Sequence, residues 1–520
     1  ASPIWEPAGL RANLNSPDAI LRALQLSAEK ENIAEELAAL PETDPLKWLL
    51  AAKVEVKKHL ETKVLRSRAK NVILFLGDGM SVSTITAARI LKGQKAGFTG
   101  EEHKLSFESF PFTGLSKTYC VDKQVADSAS TATAYFTGVK TNYGMLGVGP
   151  GVTRGDCKAM NQPENQLSSI ATWAQEDGKV AGLVTTTRVT HASPAGMYAH
   201  VADRGWESDA DVIKDKLNPQ DCEDIASQLV TKLPGMDLRV ILGGGRSEFL
   251  PKSVIDEDGK AGKRKDGRNL IDLWKFIRKT NSQKYEYVTS KPALLELAPT
   301  AEYLLGLFNS SHLPYSDDLP HDKPTLAEMT AAALKVLSKN ERGYFLFVEG
   351  GRIDHGHHKT QAQRALVETI GFSDAIETAV GLTDPEETLI VVTADHGHTM
   401  TISGYPKRGS NILGLAEVSE EDGLPYTTLS YANGPNANYT LKGHGICSRV
   451  DLSSADITGN KDQMYPGTVP LHMETHDGSD VAVYATGPRS FMFSGNYEQN
   501  YIPVAMAYAA CIGPYAKDCS

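Results

Sequence analysis

The sequence predicts an α/β fold: a doubly wound, mostly parallel central sheet flanked by helices, preceded by an N-terminal helical arm and interrupted by an irregular insertion. Three apolar runs carry this expectation: Asn71-Val-Ile-Leu-Phe-Leu-Gly-Asp78, Tyr344-Phe-Leu-Phe-Val-Glu349 and Thr388-Leu-Ile-Val-Val-Thr-Ala-Asp395-His396. Short runs rich in Val, Ile, Leu and Phe read as parallel strands buried on both faces. In open α/β sheets the chemistry gathers beyond the carboxyl ends of the strands. Each run ends in a carboxylate, so Asp78, Glu349 and Asp395 are expected to meet at one site.

Taken in order, residues 1–70 read as a mostly helical arm. Ser16-Pro-Asp leads into Ala19-Ile-Leu-Arg-Ala-Leu-Gln-Leu, and a second amphipathic run extends from Leu46 to Leu65. From Asn71 to about Thr401 strands alternate with helical stretches, among them Val180-Ala-Gly-Leu-Val-Thr-Thr-Thr and Leu238-Arg-Val-Ile-Leu-Gly-Gly-Gly, in a βαβ rhythm without internal repeats. Residues 403–470 are rich in Gly, Pro, Asn and Ser, and they read as an insertion in a catalytic domain made of 71–402 and 471–520. Asp480-Val-Ala-Val-Tyr-Ala then resumes a strand.

A chain of 520 residues with 41% hydrophobic and 22% charged residues can bury a large core and is neither disordered nor fibrous. No stretch approaches the roughly 18 to 20 apolar residues that span a bilayer. The start, Ala1-Ser-Pro-Ile-Trp, lacks a signal-peptide pattern and reads as a mature chain. The net charge of -11 argues against nucleic-acid binding, because basic clusters such as Lys260 to Arg268 are short and sit in loop-like sequence. The six cysteines show no CxxC spacing, so disulfides are expected rather than a zinc knuckle. The sequons Asn309-Ser-Ser and Asn438-Tyr-Thr fit the same extracellular setting.

Metal-ligand chemistry is dense after the strands. Asp354 and His358, in Asp354-His-Gly-His-His358, are spaced to share one face of a helical turn just beyond Glu349. Asp395-His396-Gly-His398 forms a second cluster, and His476 in Glu474-Thr-His-Asp-Gly precedes a further strand. Oxygen and imidazole donors without thiolates suit zinc where histidines gather and magnesium where only oxygens do. The nucleophile candidate is Ser128, in Asp127-Ser-Ala-Ser-Thr-Ala-Thr-Ala-Tyr135, at the start of a helix-compatible run whose amides and dipole favour an oxyanion. Its plainer reading is an N-cap serine. There is no GxSxG elbow and no HExxH.

These segments resemble an animal-type alkaline phosphatase from about Ala69 to Cys519, through Leu76-Gly-Asp-Gly-Met80, Asp127-Ser-Ala, Arg188-Val-Thr-His-Ala-Ser-Pro-Ala-Gly196, Val348-Glu-Gly-Gly-Arg-Ile-Asp-His-Gly-His-His358, Thr393-Ala-Asp-His-Gly-His398 and Glu474-Thr-His476. The resemblance implies metal-dependent hydrolysis of phosphate monoesters through a phosphoserine at Ser128, with broad specificity and an alkaline optimum. It implies one zinc held by Asp354, His358 and His476, a second by Asp78, Asp395 and His396, and one magnesium by Asp78, Ser193 and Glu349. Arg204 would clamp the phosphoryl group with Asp127 steadying it, while His191 and His355 match positions near the magnesium waters and the phosphate. His398 would orient a zinc ligand, and residues 403–470 would form a crown-like insertion.

The resemblance also implies a homodimer at the cell surface or outside the cell, and it allows a GPI-type lipid anchor in the precursor. It pairs Cys157 with Cys222 and Cys511 with Cys519, leaving Cys120 and Cys447 either joined or free. Vertebrate members carry a further calcium site, but Leu307-Phe308-Asn309 and Asp322-Lys323-Pro324 place an amide and an ammonium where carboxylates would sit. No calcium is therefore expected there. His472 and Met473 also stand where acidic residues are common in relatives. A sulfatase would need a C/S-x-P-x-R setting, which Ser128 lacks, and a phosphodiesterase of this fold typically uses threonine without the carboxylate of Glu349. A binding-only relative would have lost Ser128, Arg204 or a metal ligand, and all are present.

Overall fold

The structure is a computed structural model that describes residues 39–436, 439–442, 446–453 and 457–519, without the side chains of 439–442, 446 and 447. The helix expected near Ala19 and the sequon at Asn438 lie outside the described residues. By its internal contacts the chain divides into Ala1–Val64 and Leu65–Ser520. In the first unit a helix (α1) runs over Pro45–Leu60, one turn shorter than the amphipathic run. Asp44 caps it, its carboxylate accepting from the Leu46 N–H at 2.9 Å, and Pro45 opens it where a missing N–H costs nothing.

The second unit is built on a ten-stranded sheet. Its strands in chain order are β1 Asn71–Gly77, β2 Phe112–Lys117, β3 Val180–Arg188, β4 Val240–Gly244, β5 Tyr285–Val288, β6 Tyr303–Leu307, β7 Tyr344–Gly350, β8 Thr388–Ala394, β9 Val481–Thr486 and β10 Gly495–Glu498. They lie in the order β10-β2-β9-β8-β1-β7-β3-β4-β6-β5, and β9 alone runs antiparallel to its neighbours. The three runs singled out in the sequence are thus the central trio β8-β1-β7. In register, Gly77 faces Gly350 on one side and Ala394 on the other, so Asp78, Glu349 and Asp395 emerge together.

Alternate residues of these strands enter two separate cores. Leu74, Leu76 and Phe347 pack on one face of the sheet, and Ile73, Phe75, Leu346 and Val348 on the other. Burial on both faces is why the strands read as continuous apolar runs. On the first face a helix (α2) over Ser128–Thr137 sets Tyr135 and Phe136 against Phe347, with ring centroids 6.5 and 4.9 Å away. After β7 come the short helix α3, Arg352–His358, and the long helix α4, Ala362–Leu382, whose Phe372 meets Phe75 edge-on at 5.9 Å on the second face.

The segment read as irregular holds short ladders. Met400–Ile402, Leu429–Gly434 and Gly467–Pro470 form a three-stranded sheet, and Leu415–Val418 pairs with Pro425–Thr427. These strands are too short and too rich in turn residues to show a clear period of two in the sequence. The bridges Cys157–Cys222 and Cys511–Cys519 are present as the resemblance implied. Cys120 is a buried free thiol, and the side chain of Cys447 lies outside the described residues. At Asn309, the first sequon, the side-chain amide donates to the His312 carbonyl within its own loop.

Phe347 ties β7 to the helix that starts at Ser128. Phe347→Ala should destabilise the protein by about 3–5 kcal/mol through the cavity left between β7 and α2. Denaturant unfolding of the metal-loaded protein measures it, and a loss under about 1 kcal/mol would show that α2 is seated by other contacts.

Candidate active site

Ser128 is the first residue of α2, not its cap. Asp127 occupies the N-cap position and accepts from the Ala129 and Ser130 N–H groups at 3.3 and 3.2 Å. The plain N-cap reading of Ser128 is therefore displaced one residue back, which leaves its hydroxyl uncommitted to capping. Ser128 Oγ lies 3.2 Å from His396 Nε2. The same Asp127 carboxylate accepts from Arg204 Nη1 at 3.0 Å and from the Gly144 N–H at 2.9 Å. Burial works against its charge, but Arg204, the Gly144 amide and Ser130 outweigh it and hold the carboxyl down at about 2. The other edge of Arg204 faces His191, with Nη2 and Nε2 3.3 Å apart.

Carboxylates and imidazoles converge in three groups around this serine. Asp354 Oδ1 lies 3.3 Å from both His358 Nε2 and His476 Nε2, and those two nitrogens are 3.3 Å apart. His396 Nε2 lies 3.0 Å from Asp395 Oδ2 and 3.7 Å from Asp78 Oδ1. Asp78, Glu349 and His191 form the third group. Among the described residues, Asp78 Oδ1 and Oδ2, Glu349 Oε1, Asp395 Oδ2 and Ser193 Oγ are buried without hydrogen-bond partners. Orphaned anionic oxygens at this density are what bound cations satisfy, and the donor set of oxygens and imidazoles fits zinc and magnesium. Burial, with Asp395, Asp354 and Glu349 close by, raises the Asp78 carboxyl well above its ordinary value, and burial raises Glu349 to about 7.

The imidazoles are oriented by partners on their other nitrogens. His358 Nδ1 donates to the Glu474 carbonyl at 2.6 Å, and His476 Nδ1 to the Ala126 carbonyl at 2.8 Å, so each presents an unprotonated Nε2. His398 lies among the ligands too, but its Nε2 reaches Asp354 at 2.7 Å and its Nδ1 meets the Glu474 carboxylate. Burial alone would lower it. Glu474 and Asp354 prevail and hold it up at about 10, so it is a cationic strut between two carboxylates. His355 stands beside His191, ring centroids 5.5 Å apart, and its Nδ1 is 2.9 Å from Arg352 Nη1. Burial and Arg352 push it down to about 3, and burial with Arg204 and Arg188 lowers His191, so both rings are neutral.

Several contributors carry no signal that the sequence alone reveals. Thr185 and Thr187 of β3 both donate to Glu349 Oε2 and fix that carboxylate. His357 points away from the ligands and bridges Thr84 and the Tyr431 hydroxyl, each at 2.9 Å. His312 from the loop after β6 packs against His355 with centroids 4.4 Å apart. Glu474 was visible only as part of a motif, yet its carboxylate, N–H and carbonyl bind His398, the His358 carbonyl and the His358 ring. Gly79 shows why a small residue follows Asp78. A Cβ there would sit 2.4 Å from the His398 ring, and φ is +71°.

The alkaline phosphatase family model matches residues 69–512. The chain is 46% identical over 501 residues to the membrane-bound alkaline phosphatase of Bombyx mori, covering 95% of this chain and 90% of that one. It is 46% identical over 488 residues to the tissue-nonspecific isozyme of Homo sapiens, covering 92% and 91%. Among solved structures, the alkaline phosphatase of the Antarctic bacterium TAB5 matches with a TM-score of 0.57 and 23% identity, over 86% of this chain and 99% of that one, which shows the shared fold. The chain therefore belongs to the alkaline phosphatase family, the metal-dependent enzymes that hydrolyse phosphate monoesters, and its activity is theirs.

Proposed function

We propose that Ser128 is the nucleophile of this alkaline phosphatase and that Arg204 clamps the phosphoryl group beside it. The observation that carries the reading is the union of the two through Asp127, which caps the helix of Ser128 while holding Arg204 at 3.0 Å. Ser128 Oγ attacks phosphorus in line, and the ester oxygen leaves on the opposite side. Arg204 faces the charge on the phosphoryl oxygens. Water then attacks from the side the leaving group vacated, releasing phosphate and restoring the serine. Because recognition rests on the phosphoryl group, the alcohol is loosely selected.

Asp354, His358 and His476 would hold one zinc, Asp78, Asp395 and His396 the second, and Asp78, Ser193 and Glu349 one magnesium. When bound, these ions supply Lewis-acid activation of serine and water and neutralise charge on the leaving oxygen. Calcium is not part of this reading. Arg246, fully buried, pairs with Asp256, Glu257 and Asp258 at 3.0 to 3.1 Å, and Lys323 Nζ lies 3.1 Å from Asp258, so fixed cations already meet those carboxylates.

We also place the protein at the cell surface or outside the cell as a homodimer, with residues 1–70 and the crown-like insertion 403–470 at the interface. The disulfides and the membrane-bound Bombyx mori relative support the location, with a GPI-type anchor as the means of attachment. No described helix is long and apolar enough to cross a membrane. Exposed Trp48 and Val56 on α1, Val469 in the insertion and Leu471 and Met473 just after it support the interface.

Ser128→Ala should lower kcat on a phosphate monoester by more than about 10³-fold, and Arg204→Ala kcat/KM by about 10²–10³-fold, with diester hydrolysis negligible throughout. Steady-state kinetics checks both, and a Ser128→Ala enzyme of near-normal rate would sink the assignment. Elemental analysis of the purified enzyme should find two zinc and one magnesium per chain and no calcium. Chelation should abolish activity, and zinc with magnesium should restore it. Stoichiometric calcium would refute the reading of Lys323. Sedimentation should give twice the chain mass, and a monomer would remove the interface.

A further inference from the structure

At the opposite end of the sheet from the active site lies a pocket of about 290 Å³ lined by Arg68, Lys70, Asp177, Lys179 and Arg342. Lys70 and Lys179 stand immediately before β1 and β3, and Arg342 two residues before β7; the three strands are adjacent, so the pocket sits beneath the amino ends of the sheet's centre. Seven residues of β1 at about 3.3 Å each separate it by roughly 20 Å from Asp78. In a chain of net charge -11, a pocket lined by four cations and one carboxylate is an outlier.

The donors are only partly used. Lys179 is buried and its Nζ donates to the carbonyls of Lys70 at 3.0 Å and Arg342 at 2.8 Å, leaving one of three N–H bonds. Arg68 spends Nε on the Ala510 carbonyl at 2.7 Å and Nη2 on Asp177 at 3.3 Å. Arg342 approaches the same carboxylate at 3.6 Å, and Lys70 meets Glu387 at 3.2 Å. The simplest alternative is that the cations offset helix C-termini, since the helix Ile170–Glu176 ends at Asp177. A helix end is worth only about half a negative charge. With Asp177 and Glu387 counted, and with a second helix end at the Ala510 carbonyl that Arg68 binds, about one positive charge is still unmatched. Burial and the neighbouring cations Arg68, Arg342 and Lys70 push Lys179 down to about 8, the signature of crowding that a bound anion would relieve.

We propose that this pocket binds a tetrahedral oxyanion, phosphate or sulfate, between Arg68, Lys179 and Arg342. The anion comes either from free phosphate, the product of the enzyme's own reaction, or from the sulfate groups of an extracellular glycan. The site is independent of the roles assigned around Ser128.

Thermal unfolding of the metal-loaded enzyme at constant ionic strength tests it, with inorganic phosphate, inorganic sulfate and a heparin-derived disaccharide as probes. Four proteins are compared: the wild type, the pocket variant Arg68→Ser/Arg342→Ser, the catalytic-centre variant Ser128→Ala/Arg204→Ala, which weakens anion binding there, and the two sets combined. With the pocket intact, Tm at tenfold saturation should rise by about 2 °C more than without it, in both the wild-type and the catalytic-centre background. The pocket variant should keep full monoesterase activity. If the disaccharide saturates below phosphate, the anion is a glycan sulfate, and the reverse order identifies free phosphate. Equal rises in the pocket variant and the wild type, or no rise with any probe, would overturn the proposal. Arg342→Glu, at a side chain 65% exposed, repeats the comparison should the double variant fail to fold.

Discussion

Everything at this site follows from like charges forced together. The register of β8, β1 and β7 delivers Asp78, Glu349 and Asp395 to one buried spot, and none of the three reaches solvent. Protein groups alone leave this cluster strained: Asp78 and Glu349 are pushed toward their neutral forms, while Asp395 keeps its charge by leaning on His396. A parallel sheet has no freedom to separate them without losing its hydrogen bonds, so divalent cations are the natural remedy. Metal affinity is thus a property of the sheet's register as much as of the ligands.

Around that core the protein assigns opposite charge states to chemically identical side chains. His191 and His355, hemmed in by arginines, stay neutral, whereas His398, gripped by Glu474 and Asp354, is held cationic. Asp127 stays anionic because Arg204 and backbone amides surround it. Each residue's role is set by what its second nitrogen or oxygen touches, which distance to the reaction centre alone would not reveal.

This division also explains what the sequence disclosed. The three strands and their terminal carboxylates were legible because burial on both faces suppresses alternation and leaves unmistakable apolar runs. Asp354 and His358 were legible because helical spacing is local, and the structure sets them 3.3 Å apart. Thr185, Thr187, Glu474, His357 and His312 were not, because an ordinary residue becomes important only when folding brings it beside a distant one, as Thr185 comes to Glu349 across 164 positions. The ladders of the insertion were hidden by their shortness. Arg204 would have passed for a surface arginine without the family resemblance.

His476 is also fixed through its other nitrogen. Its Nδ1 is fastened to the carbonyl of Ala126, immediately before Asp127 and Ser128, while Asn433 of the insertion grips its neighbour Thr475 through two hydrogen bonds of 2.9 Å. A strut therefore runs from a strand of the insertion to the loop that carries Ser128. A shift of the insertion that moves His476 therefore also bears on the loop of Ser128, because the two share the Ala126 carbonyl.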